Sequence, residues 1–122
     1  MIDHISIQVD DIAAASAFYD AVFEVLGYGR LMDFGETIGY GKEFPDFWLG
    51  VATDEIPNRQ THLAFQAESR EAVDAFLAAA VAHGAEVLHE AKLWPEYHAG
   101  YYGAFVRDPD GNNVEAVHHT FG

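Results

Sequence analysis

Three residues of this chain have side chains that together can hold a divalent metal ion: His4, His62 and Glu115. Two imidazoles and one carboxylate form a borderline-hard donor set. It suits Zn, Mn, Fe, Co or Ni and leaves coordination positions free for a substrate. A free position is what a catalytic metal needs to polarise an oxygen or stabilise a developing enolate or alkoxide. Each residue alone is weak evidence, because a lone strand histidine is usually hydrogen-bonded or solvated. A repeat is what groups them. His4-Ile5-Ser6-Ile7-Gln8 is answered by His62-Leu63-Ala64-Phe65-Gln66. The match runs on in frame through Ala14 with Ala72, Ala17 with Ala75 and Phe18 with Phe76, always at the offset of His62 from His4.

The elements that must position these residues follow from periodicity. Ile2 to Val9 alternates as a strand, with Ile5, Ile7 and Val9 on one face and His4, Ser6 and Gln8 on the other. Asp10 or Asp11 is placed to cap a helix whose apolar stripe runs Ile12, Ala15, Phe18, Tyr19, Val22, Phe23 and Leu26, with Gly27 as its stop. Tyr28 to Ala52 carries short apolar runs broken by glycines and Pro45, the pattern of three antiparallel strands. The stretch 53–60 has no periodicity and reads as a linker. The order then recurs. A strand spans Thr61 to Ala67. Ser69 caps a helix with Ala72, Val73, Phe76, Leu77, Ala80 and Val81 on its apolar face, closed by Gly84. Strands follow at Ala85 to Leu93, Tyr101 to Arg107 and Asn113 to His118. Asp108-Pro109-Asp110-Gly111 is a turn, with Pro at its second position and Gly at its fourth.

The fold class expected is therefore α+β: paired βαβββ modules forming an open, cup-shaped mixed β-sheet with helices on the outside. Module one spans about 1–52 and module two about 61–122, within one domain. Ile5, Ile7, Leu63 and Phe65 then pack under the helices, while His4, Gln8, His62 and Gln66 face the cup. Glu115 alternates away from Val114 and Ala116 and joins them there. The corresponding strand of module one, Phe47-Trp48-Leu49-Gly50-Val51, is apolar and offers no fourth carboxylate; Phe47 and Trp48 suit a pocket wall or the core.

Around this set, His98, Tyr101 and Tyr102 are the candidate catalytic residues: His98 to move a proton, a tyrosine to bond a reacting oxygen. Because Tyr101 and Tyr102 alternate, at most one faces inward. His83, in the last turn of the second helix, suits the helix dipole; His89, His118 and His119 receive no role. The glycines lack phosphate-loop spacing. The formal charge of −14 argues against nucleic acid and anionic membranes as partners. No apolar run approaches the roughly 20 residues of a membrane span, and there is no cysteine. A cytoplasmic location is expected.

These residues resemble the vicinal oxygen chelate superfamily, which includes glyoxalase I, extradiol dioxygenases, fosfomycin-resistance thiol transferases and bleomycin-binding proteins. The resemblance rests on Asp3-His4-Ile5-Ser6, Phe18-Tyr19, the His62 strand and, most specifically, the run from Phe105 through Asp108-Pro109-Asp110-Gly111-Asn112 to Glu115. It implies one divalent ion on His4, His62 and Glu115, a small-molecule substrate and a homodimer. It also implies modules that close on each other within a chain or swap between chains. Without a fourth ligand, the three-ligand dioxygenases and thiol transferases fit better than glyoxalase I. The alternative is a metal-free binding protein of the bleomycin-resistance type.

Overall fold

The computed structural model describes residues 1–58 and 60–121. Arg59, in the expected linker, and Gly122, at the end of the expected second module, lie outside the described residues. The elements are β1 (Ile5–Val9), α1 (Ile12–Leu26), β2 (Gly29–Asp33), β3 (Thr37–Gly41), β4 (Phe47–Val51), β5 (His62–Gln66), α2 (Arg70–Ala82), β6 (Val87–Leu93), β7 (Tyr101–Arg107) and β8 (Asn113–His119). They form two four-stranded sheets in the orders β1-β4-β3-β2 and β5-β8-β7-β6. In each sheet the first strand pairs parallel with the last, and the other pairings are antiparallel. This is the α+β arrangement of two βαβββ units with unclosed mixed sheets.

Local chemistry sets the helix ends. The Asp11 carboxylate accepts from Ala14 N–H at 3.1 Å, and Gly27 ends α1 in the left-handed region at φ 87°. Ser69 Oγ accepts from Ala72 N–H at 3.0 Å to start α2. Beneath α1 lie the buried Ile7 and Val9 of β1, whereas Ser6 and Gln8 are exposed. Ile5, at the strand start, is only half covered. On α2 the buried residues are Val73, Phe76 and Ala80. Val81, expected on the same face, is 52% exposed. At 3.6 residues per turn it sits about 80° round the helix from Val73, beyond the sheet's cover.

One apolar cluster runs through both modules. Phe65, on the helix side of β5, packs its ring 4.9 Å from Phe23 of α1 and 5.3 Å from Phe47 of β4. The helices α1 and α2 pack on each other. Polar ties reinforce this seam: Tyr28 OH donates to Gln66 O at 2.8 Å, Asp10 N–H to Asp110 Oδ1 at 3.0 Å, and Tyr19 OH to Asp108 Oδ2 at 2.7 Å. Burial, and then the Asp108 charge, push the Tyr19 phenol well above its ordinary range, so it stays a donor. The expected turn forms, with Gly111 N–H donating to Asp108 O at 2.9 Å. The helix-facing sides of the two sheets thus share one core, and among the described residues the opposite face of each carries no helix. No helix of the described residues is long and apolar enough to cross a membrane.

Candidate functional site

The open face of the second sheet collects the chain's chemistry. Strand register places His62, Asn113 and Arg107 side by side in one row across β5, β8 and β7. Ala64, Glu115 and Phe105 form the next row, then Gln66, Val117 and Gly103, with Tyr101 beside His119 at the far end. Alternation within each strand puts all of these on the face away from α2.

Glu115 is the centre. It is 0% exposed, although its strand face bears no helix. A buried carboxylate is costly without donors, and two are supplied. His62 Nε2–H donates to Oε1 at 2.9 Å, and Tyr101 OH donates to Oε2. Gly103 makes room for this pair, since a Cβ there would stand 3.1 Å from Glu115 Oε2 and 3.2 Å from the Tyr101 ring. Burial, then the hydrogen bond to Glu115, raise the Tyr101 phenol above its ordinary range and keep its proton in place. The wall beside them is aromatic: Phe105 lies 5.8 Å from the His62 ring, with His89 and Trp94 packed edge-on against Phe105.

The other candidates are placed as follows. His4 precedes β1, is exposed, and holds Nδ1 2.6 Å from Asp3 Oδ1. Among the described residues no three His, Asp or Glu side chains converge on one point. His62 and Glu115 are therefore brought together, and His4 is not brought to them within the chain. His98 Nε2 sits 2.9 Å from His119 Nδ1 and its Nδ1 accepts from Gly100 N–H at 3.1 Å, so its partners are His119 and the loop. Tyr102 faces α2, where its OH donates to Asp74 Oδ1 at 2.7 Å. His83 caps the end of α2, and His118 Nδ1 bonds Ala67 O at 3.0 Å. Gln8 and Gln66 are exposed, and Trp48 lies on the open face of the first sheet over Gly39, where a Cβ would meet the indole at 2.8 Å. Sequence reasoning gave no role to three residues of the site face: Arg107, Asn113 and His119. Counting in steps of two from Glu115, and across the Asp108–Gly111 turn, would have found them.

A metal fits the donor chemistry of this face in part. An imidazole nitrogen and a carboxylate oxygen are both ligands for divalent ions of this kind, and here His62 Nε2 and Glu115 Oε1 are joined by a hydrogen bond at 2.9 Å. One chain supplies this imidazole–carboxylate pair, and a third donor must come from elsewhere.

Relatives agree with this architecture. YqjT of Bacillus subtilis (strain 168), itself uncharacterised, is 29% identical, the match covering 93% of this chain and 95% of that one. The crystal structure of a glyoxalase/bleomycin resistance protein from Albidiferax ferrireducens T118 superposes with a TM-score of 0.85 at 29% identity, covering 96% of this chain and 98% of that one. A lactoylglutathione lyase from Agrobacterium tumefaciens gives 0.69 at 27% identity, over 97% and 92% of the two chains. The model of the Glyoxalase/Bleomycin resistance protein/Dioxygenase superfamily matches residues 1–116, and the chain belongs to that superfamily.

Proposed function

We propose that this protein is a metal-dependent enzyme acting on a small substrate with adjacent oxygens, and that it works as a homodimer. His62 and Glu115 of one copy and His4 of a second would hold one divalent ion, of the series Fe, Mn, Zn, Ni and Co. The observation that carries this reading is the wholly buried Glu115 carboxylate on a sheet face without a helix, with His62 Nε2 at 2.9 Å. When bound, such an ion supplies Lewis-acid stabilisation of negative charge on a substrate oxygen. The chain's own residues do the rest. Glu115 brings the compensating charge, Tyr101 orients that carboxylate through its hydrogen bond to Oε2, and Phe105 with Trp94 excludes water from one side. His98, tied to His119 at the rim, is assigned proton movement at the mouth. Tyr102, bonded to Asp74, holds β7 to α2. On the open face of β4, Trp48 and Gly50 stand where a fourth ligand would have to be. This favours three-ligand chemistry, ring-cleaving or thiol-adding, over that of glyoxalase I.

One observation favours a second reading, a metal-free binding protein. Both Glu115 oxygens already accept a hydrogen bond. Metal analysis of protein purified without added metal or chelator separates the two. One divalent ion per chain, lost in both His4→Ala and Glu115→Ala, is expected. A protein that gains no metal on dialysis against Fe, Mn, Zn or Ni overturns the enzyme reading.

A further inference from the structure

We infer that the substrate carries a carboxylate group, and that Arg107 and Asn113 bind it. The inference rests on the reading that the His62–Glu115 face is the substrate site. A pocket of about 460 Å³ opens beside His62, lined chiefly by Asn58, Gln60, His62, Arg107 and Asn113. In a chain with 20 acidic residues, no Asp or Glu is among its described lining residues.

The lining offers donors without partners. Arg107 carries five N–H donors, and one is used, Nη1 to Gly111 O at 2.8 Å. Its nearest carboxylate, Glu86, stands 3.8 Å from Nε, outside hydrogen-bond range and on an exposed side chain. Other cations are engaged differently: Arg30 bonds Asp20 and Asp33, Lys42 bonds Glu68, and Lys92 lies over the Trp94 ring. Asn113 stands beside Arg107 in the same row and also lines the pocket. Its Oδ1 is buried without a hydrogen-bond partner, so the NH2 is the end of the amide left for a ligand. A guanidinium beside an amide NH2 is a receptor for a planar oxyanion, which Arg can take through two parallel hydrogen bonds. Because Arg107, Asn113 and His62 share one row and Glu115 lies in the next, a carboxylate held there lays the adjoining atoms of the molecule over His62 and Glu115.

The test is an amide-shift titration of the full-length ¹⁵N-labelled protein in chelator, with benzoate as probe, benzamide as its neutral isostere, and inorganic phosphate as the competing oxyanion. Benzoate is expected to give saturable shifts at Arg107, Asn113 and His62, and benzamide none. Arg107→Gln should weaken benzoate by about tenfold or more, the loss expected for a hydrogen bond to a charged group. Arg107→Lys, which retains a donor for Gly111 O, should fall between and guards against a variant that misfolds. Equal response to benzoate and benzamide, unchanged affinity in Arg107→Gln, or response to phosphate alone would overturn the inference. Since no metal is present, benzoate binding by a protein that takes up no metal would sink the enzyme reading and leave this one standing. Metal uptake without a benzoate response would do the reverse.

Discussion

Glu115 holds a carboxylate at zero exposure, and its two donors decide whether that is tolerable. His62 is half exposed, so its bond to Oε1 competes with water. Tyr101 is the more sheltered donor, and burial together with Glu115 keeps it protonated. Tyr101→Phe removes the donor to Oε2 while leaving the ring packed against Tyr97 and His119. A buried acceptor deprived of its partner costs about 1–3 kcal/mol, more when charged. Urea unfolding in chelator should therefore show a loss of at least that lower bound at pH 7. An unchanged midpoint would mean that solvent reaches Glu115, and the burial on which the site rests would be wrong.

Among the elements, the turn joining β7 to β8 reaches across the seam between modules, and it titrates. Asp110 accepts Asp10 N–H at 3.0 Å, yet burial raises its pKa, with the Asp108, Asp10 and Asp11 charges adding to the shift. A carboxyl whose folded pKa is raised favours the folded state while protonated. That contribution is complete below the unfolded value, about 3.9, and disappears as pH rises through the folded value. At pH 7 the charged Asp110 thus weighs against folding. Asp110→Asn keeps an Oδ1 for Asp10 and should raise the urea midpoint at pH 7, with the gain fading below about pH 4. A gain that is the same at both pH values would exclude titration as its cause. The turn itself was legible in Asp108-Pro109-Asp110-Gly111, and so were the caps Asp11 and Ser69, because each rests on contacts within a few residues. Strand parity placed His62 and Glu115 on one face for the same reason. What lay beyond local pattern was the partner of each side chain. His98 reaches His119, 21 residues away, and Tyr102 reaches Asp74. Nor can parity say which sheet face lies opposite another, and that decides where His4 goes.

At the scale of the molecule, the two modules join through their helix-facing sides, so the faces bearing Gln8 and His62 do not close on each other around a shared ion within the chain. In the proposed homodimer, a two-fold axis would set the first sheet of one copy over the second sheet of the other, and do so twice. Each ion would then take His4 from one copy and His62 with Glu115 from the other. That arrangement has a consequence no single-chain site shares. His4→Ala and His62→Ala should each lose metal when pure. Co-refolded in equal amounts, half of the dimers are mixed. Each mixed dimer has one site lacking both histidines and one site with neither substitution. Metal binding should return to about one site in four. If His4 instead joined His62 of its own chain, every site in the mixture would lack one histidine, and mixing would restore nothing.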